Sequence, residues 1–125
     1  MTTMTSPQYD LITIGGGSGG VAASRRAGSY GARVALVEAD RVGGTCVLRG
    51  CVPKKLLVYG SHFAEELADA AGFGWQVDGA RLHWERLIEA KDRELDRLNQ
   101  IYQRMLRDAG VTTYYGRARD RKSVV

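Results

Sequence analysis

Long apolar runs are missing: nothing in these 125 residues approaches the ~20 consecutive apolar residues that a membrane-spanning helix needs. Histidine is scarce. A structural zinc site takes four ligands, and the only candidates beside the cysteines, His62 and His83, stand at spacings that match no common site. Met1 to Gln8 is short and polar, without the apolar core of a signal peptide, and points to a cytoplasmic chain. The net charge is +4, but the excess is diffuse. There is no basic run with interleaved aromatics, so nucleic acid is not an expected partner, although anionic small ligands are compatible with it. Internal repeats and low-complexity segments are absent. Cysteine is limited to two residues, which in a cytosolic chain suggests catalysis or sensing rather than a disulfide scaffold. The length suits one small domain, and the hydrophobic and charged fractions are those of an ordinary soluble protein.

Glycine, by contrast, is plentiful and grouped. Tyr9-Asp10-Leu11-Ile12-Thr13-Ile14 is an apolar run that stops at glycine and predicts a buried strand. Gly15-Gly16-Gly17-Ser18-Gly19-Gly20 follows and fits G-x-G-x-x-G at Gly15, Gly17 and Gly20. Val21 to Ser29 predicts a helix whose end is bracketed by Gly28 and Gly31, and Arg33 to Glu38 predicts a second strand ending in an acid. The fold class is therefore α/β, with a Rossmann-like β-α-β unit of about thirty residues. The glycine pattern alone is weak evidence. Here it has a strand before it, a helix after it and an acid about twenty residues on. Gly15 permits the tight turn, Gly17 lets the backbone approach a pyrophosphate, and Gly20 lets helix and strand pack closely. The helix N-terminus offers unpaired N–H groups to phosphate. Glu38 can accept hydrogen bonds from ribose hydroxyls and would repel a 2′-phosphate, so the turn suits FAD or NAD better than NADP.

Both cysteines lie in Gly43-Gly44-Thr45-Cys46-Val47-Leu48-Arg49-Gly50-Cys51-Val52-Pro53-Lys54-Lys55. Thiols this close can form a disulfide, share a metal with further ligands, or be unrelated. In a regular helix, positions five apart are roughly 8–9 Å apart at Cα, whereas a disulfide needs about 4.4–6.8 Å. A bridge would require a bend, for which Gly50 is the natural place. A strained, accessible bridge is readily reduced and tends to be catalytic or regulatory. Beyond it, Pro53, Leu56, Leu57, Tyr59, Phe63 and Leu67 predict a helix over 52–70 with the cysteines near its N-terminus, where its dipole would lower a thiol pKa. Lys54 and Lys55 add positive charge, although a solvated face explains Lys55 as well.

The stretch Ala71-Gly72-Phe73-Gly74-Trp75 breaks that helix. A long amphipathic helix is predicted from His83 to Asp108, with Trp84, Leu87, Ile88, Leu95, Leu98, Ile101, Tyr102, Met105 and Leu106 at helical spacing, most of them core. Gly110 caps it. Val111 to Gly116 predicts a third strand, and Ser123-Val124-Val125 resembles a strand cut short.

Taken together, these motifs resemble the pyridine nucleotide–disulfide oxidoreductases, from about Tyr9 to Ala118, and within them the branch that reduces glutathione disulfide. Gly-Gly-Thr-Cys-x4-Cys-Val-Pro-Lys-Lys is the most specific element. Lipoamide-type members usually have Ile-Pro-Ser-Lys after the second cysteine, where this chain has Val52-Pro53-Lys54-Lys55. Leu98-Asn99-Gln100-Ile101-Tyr102-Gln103 is similar to the family stretch carrying a glutathione-contacting tyrosine. The resemblance implies FAD as cofactor, with Ser18 and Gly19 at its pyrophosphate, Glu38 at the ribose, Ala118 at the adenine, and Thr45, Cys46 and Lys54 at the flavin. It also implies a Cys46–Cys51 redox disulfide, with Cys46 attacking the substrate and Cys51 as the charge-transfer thiolate. Ser18, Arg25 and Tyr102 would bind glutathione, although a plain surface arginine explains Arg25 equally. Arg49 departs from the valine common in eukaryotic members, resembles bacterial variants and touches none of this chemistry.

In such enzymes NADPH is the co-substrate, and a His–Glu pair from the second subunit of a homodimer supplies the proton. Neither that pair nor a second nucleotide motif occurs here, and His62 and His83 read as ordinary helix residues. The expected organisation is a flexible N-terminus over 1–8 and a partial FAD-binding domain over 9–125, without the NADPH and dimerisation domains, inactive by itself. A lipoamide or mercuric type of reductase, a flavin-free disulfide switch, and an NAD-binding unit with incidental cysteines are the rival expectations.

Overall fold

The computed structural model describes residues 8–120. Most of the flexible N-terminus read over 1–8, and the interrupted strand at Ser123–Val125, lie outside the described residues. The elements run β1 (Leu11–Ile14), α1 (Ser18–Ser29), β2 (Val34–Glu38), α2 (Gly44–Arg49), α3 (Cys51–Asp69), a 3-10 turn (Ala70–Phe73), α4 (Trp84–Asp108) and β3 (Thr112–Tyr115). The strands form one parallel sheet in the order β1-β2-β3, with Leu11 opposite Val34 and Ala35 opposite Thr112. The α/β reading and the β-α-β unit hold.

The core lies on one face of this sheet. Val34 and Leu36 of β2 pack with Val21 of α1, Val42, Leu106 of α4 and Val111, while Leu11, Ala27, Tyr102 and Ala109 close around them. α1 thus packs in antiparallel fashion beside the strands it joins, and Ser24, fully buried, donates a 2.8 Å hydrogen bond to Thr13 Oγ1. The apposition of α1 and α4 is close: a Cβ on Gly28 would lie 2.2 Å from the Ala109 carbonyl oxygen. α1 ends at Ser29, between Gly28 and Gly31 as expected, and the chain turns at Gly31, at φ +88°. At the start of the sheet, Asp10 pairs with the Arg33 guanidinium at 2.8 Å and accepts the Arg33 N–H, which holds its carboxyl down to about 2 from 3.8.

Three expectations need correction. β1 is not buried on both sides: Ile12 and Ile14 are 61% and 73% exposed, because α1, the helix packed against β1, covers the opposite face. α1 begins at Ser18, inside the glycine-rich segment, not at Val21. Of the two cysteines expected near the N-terminus of one helix, only Cys51 begins α3, and Cys46 lies in a separate short helix, α2. The apolar residues that predicted α3 are little covered: Tyr59, Phe63 and Leu67 are exposed and only Pro53 is buried. Helical periodicity was right for α3 but said nothing about what covers it. α4 differs less: Leu95 and Leu106 are buried, but Trp84 is exposed and the third buried residue is Asn99.

Candidate active site

Parallel strands present their C-terminal ends together, and there the glycine turn and the cysteine stretch meet. Gly15 leaves β1 at φ +98°, and its N–H donates to the Val37 carbonyl at 2.8 Å. Gly20 cannot carry a side chain: its Cβ would lie 1.8 Å from the Gly15 carbonyl oxygen, so turn and helix are in direct contact. α1 then starts with Gly17 as an uncapped N-cap. Its first N–H groups have no side-chain partner, and a Cβ on Gly19 would meet nothing within 4 Å. An open cradle of backbone donors at a helix N-terminus is what an anion such as a pyrophosphate requires.

Glu38 closes the turn from the end of β2. Its Oε2 accepts the Gly16 N–H at 2.5 Å and its Oε1 accepts the Asp40 N–H at 2.8 Å. Both oxygens are thereby aimed, and each keeps a lone pair for a hydroxyl. The residues present therefore fit a dinucleotide: donors for the phosphates, an acid for the ribose and glycines that leave the space open.

The cysteine stretch is fastened beside this turn. The Gly43 N–H donates to the Gly16 carbonyl at 2.8 Å. Gly44, at φ +62°, lies so close to the turn that a Cβ there would stand 2.7 Å from Gly17 Cα. α2 carries Cys46 and ends at Gly50, whose φ of −135° and ψ of −105° break the helix before α3 begins at Cys51. The bend expected at Gly50 is the device that brings the sulfurs together. Both are free thiols, Cys46 half-buried and Cys51 exposed. A hydrogen bond with the Cys51 side chain, with desolvation, pushes the Cys46 thiol above its usual range, against weaker lowering by the Cys51 backbone and the Ser18 hydroxyl. Cys46, expected to be acidified near a helix N-terminus, is the reverse, because its hydrogen bond with Cys51 and its desolvation both favour the protonated form. Cys51 is the residue on which the positive end of α3 bears directly.

The other expected residues are placed as follows. Thr45 is exposed on α2, and Lys54 lies one turn after Cys51 on the same side of α3. Ser18 and Arg25 share one face of α1, seven residues apart. Arg25 lines a shallow recess with Gly28, Met105 and Asp108, while Tyr102, one turn before Met105 on α4, packs against the core. Ala118 is half-buried beyond β3. Neither histidine is among the groups that act on Cys46: His62 stacks obliquely on Tyr59, and His83 precedes α4. Arg49 pairs with Asp40 at 2.6 Å. Asn99 had no role in the sequence reading. Its signal was an amide on the Leu95–Asn99–Tyr102–Leu106 stripe, where apolar residues are the rule. Among the described residues no group of three or more His, Cys, Asp or Glu could hold a metal, and no helix is long and apolar enough to cross a membrane.

Comparison with known proteins agrees with this geometry. Residues 9–123 match the family described as pyridine nucleotide-disulphide oxidoreductase. The chain is 61% identical over 110 residues to glutathione reductase of Nostoc sp., covering 88% of this chain and 24% of that protein. It is 51% identical over 115 residues to glutathione reductase of Burkholderia cepacia, covering 92% and 26%. It is 49% identical over 122 residues to the chloroplastic/mitochondrial glutathione reductase of Pisum sativum, covering 89% and 22%. The chain thus spans about a quarter of the length of these curated relatives.

Proposed function

The chain belongs to the pyridine nucleotide-disulphide oxidoreductases, and from that premise we propose that it forms the nucleotide-turn and dithiol part of an NADPH-dependent enzyme reducing glutathione disulfide. The observation that carries this reading is the contact between Cys46 and Cys51 across the Gly50 break, beside the open cradle of Gly17, Ser18 and Gly19. FAD, bound with its pyrophosphate at that cradle and its ribose at Glu38, supplies a two-electron carrier between NADPH and the cysteines. Thr45 and Lys54 would hold the flavin, Ala118 the adenine, and Ser18, Arg25 and Tyr102 the glutathione moieties.

The chemistry balances with the residues at hand. The Cys46 sulfur attacks one sulfur of glutathione disulfide, the substrate S–S bond breaks, and the first glutathione leaves with a proton. Cys51 then attacks Cys46, the mixed disulfide breaks, and the second glutathione leaves with the other proton. The dithiol has become the Cys46–Cys51 disulfide, and two electrons restore it.

Titrating the purified chain with FAD tests the reading. Expected are a bound-flavin spectrum and, on partial reduction, a long-wavelength charge-transfer band that Cys51→Ala abolishes. A flavin that binds without any such band would leave the cysteines without a redox role here. We also propose that the 125-residue chain alone turns over no glutathione disulfide with NADPH. Turnover above a Cys46→Ser control would refute that.

A further inference from the structure

We infer that Asn99 is a positioning residue for the cysteine pair, acting through the Val42–Gly43 peptide. α2 has little to hold it locally. It is six residues long, has no side-chain cap, and starts on two successive glycines, Gly43 before it at φ +120° and its own first residue Gly44 at φ +62°. Glycines at such angles pivot freely, and a short helix cannot resist them. Two ion pairs brace the neighbourhood, Arg49 to Asp40 and Arg41 to Asp96, both at 2.6 Å. Their side chains are 44–71% exposed, and exposed pairs hold little.

The buried contact differs in kind. Asn99, 6% exposed, donates from Nδ2 to the Val42 carbonyl at 2.6 Å, while Val42 is itself fully buried. The opposite side of the same peptide, the Gly43 N–H, donates to the Gly16 carbonyl. One peptide plane is therefore gripped at both ends, by α4 and by the glycine turn. Gln103 Nε2 donates to Asn99 Oδ1 at 2.8 Å, which fixes which end of the amide faces Val42. Without that grip the glycine pair would let α2 swing, and Cys46 would lose its fixed approach to Cys51. The grip is continuous with the nucleotide site, since the Gly16 N–H is held by Glu38.

This inference rests on the reading of Cys46 and Cys51 as a redox couple, and its test separates the two. Wild-type, Asn99→Leu, Gln103→Leu and Gly28→Ala chains are equilibrated in glutathione buffers, then alkylated and weighed for the intramolecular bond. Each oxidation converts one glutathione disulfide to two glutathiones, which take the two thiol protons as the Cys46–Cys51 bond forms. Asn99→Leu keeps the volume and removes the donor. It should lower the equilibrium constant for bond formation about five-fold, the scale of one buried hydrogen bond, or about 20 mV toward easier reduction for a two-electron couple. Gln103→Leu should shift it the same way by less, and it decides the question if Asn99→Leu fails to fold. Gly28→Ala, which strains α1 against α4 away from the thiols, should lower stability without moving the constant. An unchanged constant in the folded Asn99 or Gln103 variant, or an equal shift in Gly28→Ala, overturns the positioning role. A wild-type chain that forms no intramolecular bond overturns the couple and the positioning role together.

Discussion

At the scale of single residues, the behaviour of Cys46 follows from its neighbour. A hydrogen bond with the Cys51 side chain and desolvation favour the protonated form, so the thiol titrates above its ordinary value. Cys51→Ala removes the hydrogen-bond partner, so the pH midpoint for alkylation of Cys46 by iodoacetamide should fall toward that of an unperturbed thiol. Mass spectrometry of the labelled peptide reads this directly, and a midpoint that stays or rises contradicts the hydrogen bond. The cysteines were legible in the sequence because their spacing and flanking glycines are chemical facts of the chain. The direction of the Cys46 shift was not, because dipole and neighbour act in opposite senses and only their distances decide.

At the scale of elements, α2 and the glycine turn form one unit. Gly44 has a positive φ and stands against Gly17 with no room for a methyl group. Gly44→Ala should therefore destabilise the fold by about 1–3 kcal/mol, combining backbone strain with the displaced contact, as measured by urea denaturation. A loss within a few tenths of a kcal/mol would mean that the two glycines do not meet. The long helices were legible through their apolar period, and the bend at Gly50 through the geometry a disulfide demands. α2 was not, since six residues carry too little periodicity to separate a helical turn from a loop. Asn99 was visible as a residue and invisible as a clamp, because its partner, Val42, is 57 positions away.

At the scale of the molecule, among the described residues the helices that pack on the sheet cover one side of it, and several large apolar side chains of the α3 region face solvent. Phe63, Phe73, Trp75 and Leu82 are 62%, 85%, 72% and 70% exposed. Trp84 is exposed as well, so neither tryptophan reports on a packed interior. The fluorescence of this chain should already lie at the long wavelength of hydrated indole, be quenched by iodide, and shift little on unfolding. A large red shift in urea would show that the α3 face is covered in solution.

Sequence alone determined the strands and the longer helices, the nucleotide turn, the acid that closes it and the thiol pair, because each depends on residue types at short spacing. Tertiary structure decided which faces are covered, that Cys46 stands in a helix of its own and which distant amide grips the peptide before α2. Burial and hydrogen bonding depend on what lies opposite in space, and a local pattern carries no record of that.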